Sequence, residues 1–164
     1  MNSPQQRKPM RLKGYDYSEN GFYFITICTK GRECLFGDVV DGTMLLNECG
    51  DIAEKEVLNI PTHYIDIEIH YFVVMPNHVH IIIALVGKKS VQAGAASGAP
   101  TATQFTLGNI VRGYKSGVSR RIGHSIWQRN FYDHIIRDED TYLRISTYIE
   151  NNPKTWEEDR FYQQ

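Results

Sequence analysis

Cysteine is scarce and unpaired in this chain: Cys28, Cys34 and Cys49 are the whole complement, and none sits in a CxxC spacing. An odd number without that spacing indicates neither a disulfide framework nor a cysteine-held zinc site, so the thiols are expected to be reduced and structural. Long apolar runs are lacking too. No stretch approaches the roughly 20 residues of a membrane span, and the opening "MNSPQQRKPMRLKG" has no apolar core of a secretory signal. No membrane association is therefore expected, and the expected location is the cytoplasm. Nor is there an excess of charge of one sign: the net charge is −1, which speaks against a non-specific coat for DNA.

What is present is an ordinary globular composition. With 164 residues, 41% hydrophobic and 23% charged, the chain is long enough to bury one core and too apolar for wholesale disorder. Charge is unevenly placed. Residues 1–13 carry Arg7, Lys8, Arg11 and Lys13 and no acid, which makes them either a basic arm that reaches for phosphate or a solvated tail. Residues 14–164 read as a single domain.

Hydrophobic periodicity divides that domain into seven elements. "GFYFITICT" at 21–29 is dense in aromatic and β-branched residues, as a mostly buried strand should be. The segment 45–60 predicts a helix with Asn47 as its N-cap and Pro61 as its stop. "IDIEIHYFVV" at 65–74 alternates and then turns wholly apolar, which predicts a strand running into the core. Met75-Pro76-Asn77 breaks it, and "HVHIIIALV" returns as a second strand or a sharply bent continuation. A Gly/Ala-rich stretch at about 87–103 reads as a flexible loop. Residues 106–122 place Leu107, Ile110, Val111, Tyr114, Val118 and Ile122 at helical spacing. Gly108, Gly113 and Gly117 weaken that helix and mark either close packing or close approach of nucleic acid. "FYDHIIR" at 131–137 predicts a short strand, and a last helix runs from Asp138 to Asn152 before Pro153. The order βαββαβ with an added helix is that of a ferredoxin-like, RRM-like α+β sandwich with an antiparallel sheet, one of whose faces would stay free for a ligand.

Within this frame, "MPNHVHIII" at 75–83 carries the first chemical signal. Residues i and i+2 of a strand share a face, so His78 and His80 present two imidazoles side by side while Val79 points away. Such a pair suits a divalent cation, and it also suits the polar surface of a half-exposed strand. On the last helix Tyr148 and Asn152 are neighbours at i and i+4. A phenol there is a potential nucleophile and a carboxamide oxygen a potential metal ligand. Both types are equally at home at the margin of an amphipathic helix.

Taken together, "RLKGYDY", "GFYFITICTKGRECLFG", "FVVMPNHVHIII" and "WQRNFYDHIIRDEDTYLRISTYIENNP" resemble, in order and over residues 11–153, the REP-associated tyrosine transposases among the single-tyrosine HUH transposases of insertion-sequence type. The resemblance implies that His78 and His80, as the HUH pair, and Asn152 hold a divalent metal, Mg²⁺ or Mn²⁺, and that Tyr148 is the catalytic nucleophile. It implies metal-dependent cleavage and rejoining of single-stranded DNA near a hairpin through a 5′-phosphotyrosine. Candidate DNA contacts are Arg7, Lys8, Arg11 and Lys13 of the arm and Arg112, Lys115, Arg120, Arg121 and Arg129 further on, with Tyr15, Tyr17 or Trp127 to stack on bases. The family includes monomers and homodimers, so both states stay open. The competing expectation is a non-catalytic nucleic-acid-binding module of RRM type, or an inactive domesticated relative, in which "FYFITICT" would be the stacking platform.

Overall fold

The computed structural model describes residues 20–87 and 105–163. The basic arm and the Gly/Ala-rich stretch, apart from Gly87, lie outside those residues, as do Tyr15 and Tyr17. The main sheet holds β1 (Gly21–Cys28), β4 (Ile67–Met75), β5 (His78–Leu85) and β6 (Tyr132–Ile136), in the order β4-β5-β1-β6. All three pairings are antiparallel. Helices α1 (Glu48–His63) and α2 (Leu107–Ile122) connect the strands, and α3 (Glu139–Asn151) follows them. This is the expected mixed α+β fold with an antiparallel sheet. Pro76 and Asn77 are the turn between β4 and β5, which pair from Met75↔His78 outward.

Alternation along β1 and β5 decides which side chains meet which helix. Tyr23, Ile25 and Ile27 with Val79, Ile81 and Ile83 face α1 and α2 and form the main core. Phe24 and Ile82 pack with Tyr142, Ile145 and Ile149 of α3 on the other face. Every residue of β5 is buried, since the strand is covered on both sides. The second sheet face is thus not left free, because α3 and the C-terminal segment occupy it. In "FYFITICT", Tyr23, Ile25 and Ile27 point into the core, Phe24 packs with α3 residues, and Phe22 keeps 36% exposure.

Three further features depart from the periodicity reading. A two-stranded ribbon, β2 (Gly37–Val40) and β3 (Thr43–Leu46), lies before α1. Its turn, Asp41-Gly42, has φ of 50° and 71°, the left-handed pair of a type I′ hairpin. Helix α1 continues through Pro61 to His63. Only the last turn is affected, and the Tyr64 N–H still donates to the Ile60 carbonyl at 3.2 Å. After Asn152 the chain winds through a 3-10 segment, Asn152–Glu158, and buries Trp156 and Phe161 against Cys28 and Met75. For α2, close packing explains two of the glycines: a Cβ at Gly117 would run into the Glu56 carboxylate, and one at Gly113 into the Tyr64 hydroxyl.

Candidate metal and nucleophile site

His78 and His80 project from the β5 face that α3 covers, and both are 0% exposed. The surface-decoration alternative is thereby excluded. Burying two imidazoles is costly unless their nitrogens find partners. For His78 the partner is Asn77. The Asn77 amide NH₂ donates to the carbonyls of Phe161 (2.8 Å) and Arg32 (3.1 Å), so its Oδ1 must be the atom facing His78 Nδ1 at 2.9 Å. An amide oxygen only accepts, so Nδ1 carries the proton and Nε2 presents a bare lone pair. That Nε2 is buried and has no partner.

His80 is held differently. Its Nδ1 lies 2.8 Å from Thr26 Oγ1 and its Nε2 lies 3.3 Å from the Tyr148 hydroxyl. A threonine hydroxyl serves either tautomer, so His80 can turn its Nε2 lone pair inward without moving a heavy atom. Burial pushes both imidazoles toward the neutral form. For His78 it outweighs the opposing pull of Asp159, and the pKa falls to about 4. For His80 burial comes first and the charge of His78 second. Neutral imidazole is the ligating state.

Helix α3 starts where Asp138 Oδ1 accepts from the Thr141 N–H at 2.7 Å. It carries Tyr148, 38% exposed, over the His80 ring at 5.2 Å between centroids. Asn152, one turn on, is fully buried, and its Oδ1 is a second unpartnered polar atom. The residue not foreseen is Asp159. It accepts from the Tyr148 hydroxyl at 2.8 Å and from Asn152 Nδ2 at 2.6 Å. It also lies with His78 and His80 in a set whose ligand atoms fall within 4.8 Å of one another. Nothing local in "WEEDRFY" singles out this carboxylate among its acidic neighbours. The only hint was the aromatic spacing of Trp156 and Phe161, which docks the segment. Desolvation first, then the hydrogen bond and charge of Asp159, push the Tyr148 phenol well above its ordinary pKa.

The donor set fits a divalent cation on two grounds. Two buried atoms, His78 Nε2 and Asn152 Oδ1, are lone-pair donors with nothing to donate to, and Asp159 supplies anionic oxygen of the kind that hard cations prefer.

Among the described residues the sequence-selected cations are scattered. Helix α2, with Arg112, Arg120 and Arg121, packs on the opposite sheet face from the histidines. Arg121 is paired with Glu56 at 2.6 Å. The Lys115 ammonium donates to the carbonyls of Gln128, Asn130 and Arg129 at 2.8, 3.0 and 3.4 Å, and so braces the loop before β6. Arg129 is exposed in that loop. Trp127 is 7% exposed, stacked on Phe36 and Tyr114, and donates to the Lys115 carbonyl. It is a core residue, and the base-stacking expectation for it does not hold.

An uncharacterized protein of Haemophilus influenzae is 44% identical to this chain over 95% of its length and 93% of the relative's, and the two belong to one family. A second protein of that organism, a putative REP-associated tyrosine transposase, is 26% identical over 84% of this chain and 73% of its own length. A solved structure of a REP-associated tyrosine transposase bound to a REP hairpin matches with a TM-score of 0.63 at 22% identity, over 89% of this chain and 73% of that one. The chain resembles the REP-associated tyrosine transposases. No protein-family model matches it. Among the described residues no helix is long and apolar enough to cross a membrane.

Proposed function

We propose that this chain is a metal-dependent DNA strand transferase that cleaves and rejoins single-stranded DNA beside a hairpin through a 5′-phosphotyrosine on Tyr148. The observation that carries the reading is the convergence, on one spot, of a nucleophile, a proton acceptor and two orphaned buried ligand atoms from elements some seventy residues apart. The hairpin substrate is that of the structurally similar transposase.

His78, His80 and Asn152, with Asp159 as a fourth donor, would hold Mg²⁺ or Mn²⁺. A cation bound there supplies charge neutralisation at a nonbridging phosphate oxygen and orients the phosphorus. The chain's own residues do the rest. Tyr148 Oη attacks phosphorus, the P–Oη bond forms and the P–O3′ bond breaks. The phenol proton passes to Asp159, whose carboxylate already accepts it in a hydrogen bond, and the departing 3′ oxygen takes a proton from Asp159 or from water. The phosphotyrosine retains the bond energy, so attack by a second 3′-OH reverses the step without ATP.

The test is incubation of the protein with a hairpin-bearing single strand and Mn²⁺ or Mg²⁺, followed by denaturing electrophoresis. A covalent protein–DNA adduct is expected, and Tyr148→Phe removes it. An adduct that persists in that variant would move the nucleophile elsewhere, with Tyr142 the next phenol on α3.

A further inference from the structure

Two guanidinium groups that no motif singled out lie one aromatic ring away from the histidine pair. Phe161 stacks on His78 at 4.6 Å and lies 5.8 Å from His80. Arg160 Cζ sits 4.6 Å from the same Phe161 ring, and Arg32 Cζ 5.2 Å from it. Arg160 is also 5.8 Å from the Tyr132 ring, so its guanidinium is placed between two aromatic rings. Such stacking fixes the plane of a guanidinium while leaving its N–H edge free. Arg32 Nη1 donates to the Arg160 carbonyl at 3.2 Å, which joins the two residues.

Neither arginine has a carboxylate within ion-pairing distance among the described residues. The carboxylate next to Arg160 in sequence, Asp159, is spent on Tyr148, Asn152 and the Phe161 N–H. Arg32 is also held in the left-handed backbone region at φ 58°, where a non-glycine residue is strained. Asn77 Nδ2 pins its carbonyl there. Two unpaired cations beside neutral imidazoles lack only an anion.

We propose that Arg32 and Arg160 form a phosphodiester clamp at the mouth of the His78–His80–Tyr148 site, holding a backbone phosphate of the entering single strand within reach of Tyr148. The clamp deepens the strand-transfer reading and rests on it for the identity of the ligand. It also adds to the sequence-based expectation, which placed the phosphate contacts on the N-terminal arm, on Arg112, Lys115, Arg120 and Arg121 of α2 across the sheet, and on Arg129.

The experiment is fluorescence anisotropy of a hairpin-bearing single-stranded oligonucleotide, without divalent metal, against Tyr148→Phe protein and the same protein carrying Arg160→Ala, Arg32→Ala or Arg160→Lys. Each alanine variant should make the slope of log affinity against log salt shallower by about 0.7, the value for one lost single-strand phosphate contact. Arg160→Lys keeps the charge and should keep the slope. Slopes unchanged in both alanine variants overturn the clamp, as does a parent protein that does not bind the oligonucleotide. If Arg32→Ala unfolds, as circular dichroism would show, Arg160→Ala decides, because that exposed side chain makes no hydrogen bond among the described residues. Unchanged slopes alongside adduct formation by the unmutated protein would sink the clamp and spare the reaction. Shallower slopes without any adduct would do the opposite.

Discussion

Asn77→Ala tests the positioning of the candidate metal site most directly. The amide is 0% exposed and makes three hydrogen bonds, to the carbonyls of Arg32 and Phe161 and from His78 Nδ1. Alanine leaves the buried Phe161 carbonyl, the part-buried Arg32 carbonyl and one buried imidazole N–H without partners. Each such group costs about 1–3 kcal/mol, so a loss on the order of 3–5 kcal/mol is expected from a total stability of about 5–15 kcal/mol. Urea denaturation of the metal-free protein measures it. The second consequence is chemical. With the acceptor gone, nothing obliges His78 to keep its proton on Nδ1, and long-range ¹⁵N–¹H NMR should show a tautomer mixture in place of a single Nδ1–H form. Divalent-metal affinity, read by calorimetry, should fall about 10–100-fold, as for other groups that orient a ligating histidine. An Asn77→Ala protein within about 1 kcal/mol of the parent, with the His78 tautomer unchanged, would refute the reasoning.

Other outcomes follow from the same geometry. His78 is depressed from 6.5 to about 4 by burial, so the unfolded chain binds a proton that the folded one refuses. Metal-free stability should therefore fall by on the order of 3 kcal/mol as pH drops from about 6.5 toward 4, with His80 adding in the same direction. Denaturation midpoints across that range check it, and a flat profile would contradict it. Asp159→Asn removes the group whose hydrogen bond and charge raise the Tyr148 phenol. Ultraviolet titration should find that phenol more acidic in the variant, and the rate of adduct formation should fall for want of a proton acceptor. Gly117→Ala drives a methyl group into the Glu56 carboxylate and disturbs its pair with Arg121. A loss of about 1–3 kcal/mol in thermal unfolding is expected, from overpacking at the α1–α2 contact.

The elements were legible where a local pattern has one physical solution. Caps at Asn47, Thr106 and Asp138 are short-range hydrogen bonds, accepted by the side chain from an amide three residues on, and a reader of the sequence can place them. The period-two register of β5 likewise assigned His78 and His80 to one face. The Asp41-Gly42 turn was equally local and readable as a hairpin signal, although its flanking strands are only four residues each.

Backbone geometry over a few residues was enough to give the order of the main-sheet strands and the helices, the side-by-side histidines and the i, i+4 pairing of Tyr148 with Asn152. Only the tertiary structure decided that α3 lies over the histidine face and that Asn77 fixes the His78 tautomer. It also brought Asp159 into the site and set Arg32 and Arg160, in place of the α2 arginines, beside it. Those facts depend on chain segments folding back across 45 to 128 residues of sequence. Such contacts are chosen by burial of Trp156 and Phe161 and by the hydrogen-bonding needs of buried groups, which no local spacing encodes.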